Sequence, residues 1–289
     1  MKKAFLYASV SILFWSTLAT VSKLLLGTLN SFGVLMFSSF FACLALFFAN
    51  LITGKLKILK TYKFKDFLLI ISTSSLGTFF YYAFLYAGTS KMAASQAFII
   101  NYLWPIMSVV FACIILKEKI TFRKIIAFAL SFIGVLTVAG GELLNFSIGS
   151  LFGIVLCLLA AMSYGLFTVL CKKYVYDYMV SMMLSFFATF LLTVIINLCL
   201  GMPTGIGLGH FLGFLWNGIF IMAVATVTWA LALNRGGTAK ISNLAYITPF
   251  LSLVWTFLIL KEPIKPLSIL GLLIIIAGIL IQLKDKNYD

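Results

Sequence analysis

Residues 102–120 read YLWPIMSVVFACIILKEKI, and residues 246–264 read YITPFLSLVWTFLILKEPI. The two stretches align without a gap. Tyr102 falls on Tyr246, Pro105 on Pro249, Ser108 on Ser252 and Leu116-Lys117-Glu118 on Leu260-Lys261-Glu262. The same spacing carries the match outward, from Lys91 on Arg235 to Gly134 on Gly278 and Leu136 on Leu280. A hydrophobic chain made of two similar halves is the sequence sign of a carrier built from a structural repeat.

The rest of the chain has the composition such a carrier needs. Of 289 residues 63% are hydrophobic and only 10% are charged, and the mean hydropathy is +1.15. Soluble domains carry about 25% charged residues. A spanning helix needs about 20 predominantly apolar residues. The hydropathy pattern predicts ten such spans, near 4–26, 31–53, 67–88, 93–116, 123–140, 149–171, 179–201, 210–233, 241–260 and 267–283. The longest polar connection, 54–66, leaves no room for a soluble domain. The expected fold is therefore an all-α membrane protein of ten transmembrane helices.

The formal net charge of +14 raises the question of nucleic acid. Its distribution answers against it. With the N-terminus in the cytoplasm, Lys91, Lys261 and Lys265 fall outside and Lys23 falls within a span. All other Lys and Arg, including the run Lys55, Lys57, Lys60, Lys63 and Lys65, fall inside. That is the positive-inside pattern, with both termini cytoplasmic, and the basic turn at 54–66 should attract anionic lipid. Lys2-Lys3 before an apolar run imitates a signal peptide. Trp15 through Lys23 resembles Tyr164 through Lys172, however, so the first helix is read as part of the fold.

The expected organisation is two five-helix repeats, 1–145 and 146–289. Five is odd, so the second repeat enters the membrane from the opposite side and the halves are inverted. Such halves place a substrate site near the midplane between them. Pro105 and Pro249 lie inside the fourth and ninth spans. Each is expected to remove a helical hydrogen bond and bend its helix, and the pair of kinks would shape a cavity.

The polar residues exclude as much as they suggest. All seven acids, Asp66, Glu118, Glu142, Asp177, Glu262, Asp285 and Asp289, lie in loops or tails. Intramembrane carboxylates are the usual means of binding cations or relaying protons, and none is expected here. The sequence has no P-loop and no HExxH. Cys43, Cys113, Cys157, Cys171 and Cys199 form no CxxC, and His210 is the one histidine. No catalytic residue, cofactor or metal site is expected. The cysteines read as small core residues and His210 as interfacial.

What remains is a set of polar and aromatic side chains in mid-span. Asn101, Trp104 and Ser108 share a helical stripe. Tyr82 shares a face with Phe79 and Tyr86, and Thr226 and Trp229 lie in the eighth span. Asn243 and Tyr246 lie in the ninth, and Trp15 and Tyr164 match each other in the first and sixth. Lys23 either meets a substrate carboxylate or extends to the interface. The candidate substrate-binding set is Trp15, Tyr82, Asn101, Trp104, Ser108, Tyr164, Trp229, Asn243, Tyr246 and Lys23. A site of this kind is uncharged, amide-bearing and rich in rings. It suits a small zwitterion or neutral solute with an apolar or aromatic body.

The Pro-to-Leu-Lys-Glu segments, Pro105 to Glu118 and Pro249 to Glu262, each followed by a glycine-bearing helix, resemble the EamA group of the drug/metabolite transporter superfamily. The segment Asn101-Tyr102-Leu103-Trp104-Pro105 resembles that of YddG-type aromatic amino-acid exporters. The resemblance implies a ten-helix inverted-repeat carrier with a cavity lined by spans 1, 3, 4, 6, 8 and 9. It also implies export of amino acids or related metabolites across the bacterial cytoplasmic membrane. Many relatives carry an arginine in the second helix where this chain has Met36-Phe37-Ser38-Ser39, which argues for a less anionic substrate. Two other readings stand beside it. One is efflux of drugs or organic cations, for which a mid-membrane acid is missing. The other is a structural or receptor-like membrane protein with no transport cycle. Expected partners are a small-molecule substrate and the lipid bilayer, with the chain a monomer or homodimer and no nucleic acid bound.

Overall fold

The computed structural model describes residues 2–144, 148–236 and 243–283. Among them every regular element is a helix. The chain runs through α1 (Lys2–Ser16), α2 (Leu18–Leu26), α3 (Ser31–Ile52), α4 (Phe64–Ser74) and α5 (Tyr81–Lys91). It continues through α6 (Ala94–Asn101), α7 (Trp104–Ile115), α8 (Phe122–Leu144) and α9 (Ile148–Lys173). The remaining helices are α10 (Tyr178–Leu200), α11 (Leu208–Leu215), α12 (Ala225–Gly236), α13 (Ile247–Leu260) and α14 (Pro266–Leu283). Among the described residues, 7 helical stretches, some of them locally interrupted, are long and apolar enough to cross a membrane. They are Lys2–Leu26, Ser31–Ile52, Phe64–Lys91, Ala94–Ile115, Ile148–Lys173, Tyr178–Leu200 and Leu208–Leu233. Ile247–Leu260 and Pro266–Ile281 are apolar but shorter.

The loops sort into two ends by their contacts. At one end Lys55 meets Asp177 at 2.6 Å, and the Tyr176 hydroxyl donates to Asp66 at 3.1 Å. At the same end Glu118 bridges Lys124 and Lys172, both at 3.3 Å. This is the basic end. At the opposite end Thr28 meets the His210 ring at 2.7 Å, and the Glu262 carboxylate accepts the Ala94 amide at 2.9 Å. His210 is thus tied down, since its Nδ1 also accepts the Gly207 amide at 3.1 Å.

The prolines do something other than bend continuous helices. The helix is interrupted just ahead of Pro105, and a tighter turn directly precedes the helix that holds Pro249. α6 stops at Asn101, and Tyr102 and Leu103 tighten into i→i−3 hydrogen bonds of 3.1 Å. α7 then starts at Trp104 with Pro105 in its first turn. In the other half a 3-10 turn, Asn243–Tyr246, precedes α13, and Pro249 sits in that helix's first turn. The physical reason is that a proline ring clashes with the carbonyl four residues back but is free in a first turn, where no amide bond is needed. Breaking the helix removes the clash that bending would only reduce.

Other interruptions carry no proline. Between α1 and α2 the Ser16 and Thr17 hydroxyls turn back onto Leu13 O and Phe14 O at 2.7 Å each, competing with the helical ladder. π-helical segments join α4 to α5 (Leu76–Phe80) and α11 to α12 (Trp216–Val224). The widened ladder leaves Leu76 O able to accept both the Tyr81 amide and the Ser163 hydroxyl, the latter at 2.7 Å.

α8 and α14 pack closely, backbone against backbone. A Cβ added to Gly134 would lie 2.7 Å from Gly271 O, and one added to Gly278 would lie 2.8 Å from Ala127 O. Going up α8 by those positions means going down α14, so the two helices are antiparallel. Bare backbone on both faces is what lets them approach so closely.

Candidate functional site

A cavity of about 530 Å³ opens inside the bundle, within the range usual for small-molecule sites. Its lining comes from both halves of the chain. α1 contributes Trp15, α6 contributes Phe98 and Asn101, and α7 contributes Trp104 and Ser108. α9 adds Tyr164, Phe167, Thr168 and Cys171, spaced as one helical face, and α12 adds Trp229 and Leu233. The cavity reaches the basic end, because Cys171, Tyr178 and Leu233 lie at the helix termini there.

The rings form two walls. Trp104 stands edge-on to Tyr164 at 5.1 Å between centroids, and Tyr164 packs on Tyr81 at 4.8 Å. Tyr81 meets Tyr82 at 4.7 Å and so extends that wall. Across the cavity Trp15 and Trp229 pair at 5.3 Å. Close aromatic packing of this sort fixes ring positions and leaves faces and edges for a ligand. Gly77 makes the first wall possible, since a Cβ there would lie 2.5 Å from the Phe167 ring.

Polar atoms are few and placed. Asn101 donates from Nδ2 to the Tyr81 hydroxyl at 3.0 Å, while its Oδ1 is buried without a protein partner. The Thr248 hydroxyl, also on the cavity, is buried and unpartnered. None of the described residues lining the cavity is charged.

The sequence-predicted residues divide clearly. Trp15, Tyr82, Asn101, Trp104, Ser108, Tyr164 and Trp229 are brought together on the cavity, along with Pro105. Lys23 is not among them. Its ammonium donates to Thr89 O at 2.8 Å and Met92 O at 2.6 Å, at the end remote from the cavity mouth. The reason is electrostatic: a cation is best placed on the free carbonyls that end a helix, here α5. Pro249 is buried and is not among the residues lining the cavity. The side chains of Asn243 and Tyr246 fall outside the described part of the structure.

Sequence reasoning missed Tyr81, Thr78 and Tyr178. The cavity face of the third rod is Gly77, Thr78, Tyr81 and Tyr82, whereas Phe79 and Tyr86 point elsewhere. Tyr86 instead receives the Asn217 amide at 2.6 Å. The available signal was Gly77-Thr78, the small pair that leaves room in front of the tyrosines. Span seven was also left out, although Tyr178, Met182 and Phe186 line the cavity at i, i+4, i+8.

A membrane-crossing helical bundle enclosing an aromatic, solute-sized cavity is the build of a small-molecule carrier. Comparison with known proteins gives the family. The EamA-like transporter family model matches residues 2–140 and again 151–283, and the chain belongs to that family of membrane transporters, which are not enzymes. It is 29% identical to an uncharacterized transporter of Clostridium kluyveri, over 99% of this chain and 95% of that one. It is 22% identical to an uncharacterized transporter of Archaeoglobus fulgidus, over 98% and 100% of the two chains. Against the uncharacterized transporter YoaV of Bacillus subtilis the identity is 26%, over 69% and 70%. A protein crystal structure with 19% identity matches at a TM-score of 0.69, over 98% of this chain and 96% of that one, which shows the shared fold.

Proposed function

We propose that this transporter is a secondary carrier of small zwitterionic or neutral metabolites, with aromatic or neutral amino acids as the leading class, exporting them from the cell. The observation that carries the substrate class is the cavity lining: rings on two walls, the Asn101 amide with its oxygen unpartnered, and no ionised side chain among the described residues. An amino acid brings its own balanced charges, so a site without net charge need not neutralise it. Its apolar body gains from burial against rings at about 25 cal/mol per Å². The likeness of Asn101-Tyr102-Leu103-Trp104-Pro105 to YddG-type aromatic exporters points the same way.

The carrier works by alternating access between two inverted five-helix halves, 1–145 and 146–289, with ten spans and both termini in the cytoplasm. Support comes from the two stretches matched by one family model and from the antiparallel contact of α8 with α14. A second support is local. Lys117 and Lys261, at equivalent positions, both take left-handed backbone, with φ of 56° and 58°. The amides after them reach back to equivalent carbonyls, Glu118 to Ala112 and Glu262 to Thr256, both at 3.4 Å. The clustered lysines support a cytoplasmic basic end in a bacterial plasma membrane. The cavity then faces inward in this structure.

The test is flux in proteoliposomes at zero potential and zero pH gradient, with labelled phenylalanine, tryptophan, threonine, glutamate and a quaternary ammonium compound. Saturable movement of phenylalanine or tryptophan is expected. Movement of the quaternary ammonium alone would replace this reading with cation efflux, which rings can also serve.

A further inference from the structure

At the end opposite the cavity mouth, two charges of opposite sign sit on one turn. Between α5 and α6 the chain reverses at Met92 and Ala93. The Lys23 ammonium sits on the carbonyls that end α5, Thr89 O and Met92 O. The Glu262 carboxylate sits on the start of α6. Its Oε1 accepts the Ala94 amide at 2.9 Å, and its Oε2 accepts the Ser95 amide at 3.0 Å and the Ser95 hydroxyl at 2.9 Å. Each charge therefore matches the helix end it meets: cation on free carbonyls, anion on free amides. α6 is the short helix that carries Asn101 at its other end.

Glu118 occupies the equivalent place in the first half, with the same local backbone, and does something different. Its carboxylate bridges Lys124 and Lys172 at the basic end, each at 3.3 Å. One backbone form thus presents a carboxylate to a helix start at the sealed end and to lysine side chains at the end the cavity reaches.

The seal beneath Glu262 is not an oily plug. α2, α6 and α13 pack against one another there. Thr20 on α2, Gln96 on α6 and Ser252 on α13 are buried with side-chain polar atoms that have no protein partner. Gln96 is 2% exposed, and both of its amide atoms are unpartnered. Buried polar groups without partners disfavour the packed state, and water would satisfy them if the helices parted. A seal that works against itself in this way needs a specific fastening, and the carboxylate on α6 supplies it through charge-assisted hydrogen bonds.

We propose that Glu262 on the N-terminus of α6 is the outer gate contact of the transport cycle, made while the cavity faces the basic end and broken when it opens to the other side. The proposal rests on the carrier reading above and assigns Glu262 a positioning role: it touches α6, not the solute.

The test uses two single-cysteine chains and a membrane-impermeant thiol reagent, applied separately from each side of the membrane. In one, all five native cysteines are serine and Gln96→Cys reports on the seal. In the other, Cys171 is kept as the reporter on the cavity. Glu262→Gln, which keeps the size but loses the charge and one accepting oxygen, is expected to speed labelling of the cysteine at 96 from the Glu262 side. The expected factor is roughly tenfold, as for loss of a charge-assisted hydrogen bond. In the same background labelling of Cys171 from the basic side should slow. Glu118→Gln should not speed labelling at 96. Faster labelling at both reporters would mean general loosening and would overturn the gate, as would no change at 96. If Glu262→Gln does not fold, Glu262→Asp, one methylene short of α6, makes the same prediction. No solute enters this measurement. A failed flux assay with the labelling pattern intact therefore removes the carrier reading, and the reverse result removes the gate.

Discussion

Asn101 and Tyr81 are joined by a hydrogen bond of 3.0 Å between two different helices, and this bond decides what the amide offers to the cavity. Because one Nδ2 hydrogen is donated to the tyrosine hydroxyl, the amide plane is held and Oδ1 is positioned to accept from a solute ammonium or amide. Tyr81→Phe removes the acceptor and frees the amide to rotate. Asn101→Ala removes the acceptor for the solute. Both variants should fold with near-normal yield and lose flux by roughly tenfold, the scale of one buried hydrogen bond to a charged group. The double variant should be little worse than Asn101→Ala alone. Additive losses in the proteoliposome assay would show that the two residues act separately.

Trp104 touches Tyr164 edge to face, and both rings line the cavity. If the solute's side chain lies on that wall, Trp104→Ala should lower flux of tryptophan and phenylalanine more than flux of threonine. The expected difference is several-fold, since an aromatic contact beyond simple burial is worth about 0.5–1.5 kcal/mol. Equal losses for all three solutes would move the side-chain pocket away from Trp104.

The all-helical, membrane-spanning class was legible in the sequence because a helix in lipid must be long and apolar. The repeat was legible because Pro105 to Glu118 and Pro249 to Glu262 keep their register. Facing was harder to read. In a helix apolar on all sides periodicity does not mark the buried side, so Tyr82, Tyr86 and Phe79 looked equivalent while Tyr81 stayed hidden. The break at Thr17 left no proline to announce it, only two hydroxyl residues in a row. Lys23, charged and within a span, could be read as a substrate contact or as a cation reaching the interface, and sequence alone did not decide between them. Its partners, Thr89 O and Met92 O, are backbone atoms that no side-chain pattern reveals.

Asp177 has two duties at the basic end, and they separate by substitution. Its Oδ1 accepts the Met179 and Val180 amides at 3.1 Å each, capping α10, while Oδ2 meets Lys55 at 2.6 Å. Asn caps nearly as well as Asp, and Ala caps poorly. Asp177→Ala should lower stability by about 1 kcal/mol, and Asp177→Asn should recover most of that. Lys55→Ala should resemble Asp177→Asn, because a half-exposed ion pair contributes about 0–1 kcal/mol. Thermal unfolding in detergent, followed by loss of the monodisperse peak, ranks the three. A Lys55→Ala loss equal to that of Asp177→Ala would mean that the pair, not the cap, holds the end of α10.

Gly134 and Gly271 face each other backbone to backbone, and the geometry leaves neither room for a methyl group. A Cβ on Gly134 would meet Gly271 O at 2.7 Å, and one on Gly271 would meet Gly134 O at 2.5 Å. The obstacle in both cases is a carbonyl of the neighbouring helix, which moves only if the whole helix moves. Overpacking of this kind typically costs about 1–3 kcal/mol. Gly271→Ala and Gly134→Ala should each lower the unfolding temperature, and the double variant should cost less than their sum, since one separation of α8 from α14 relieves both clashes. Both glycines lie away from the cavity lining, so the protein that does fold should keep its apparent affinity for solute in the flux assay. A change in affinity without a change in unfolding temperature would show that the α8–α14 pair takes part in the cycle rather than bracing it.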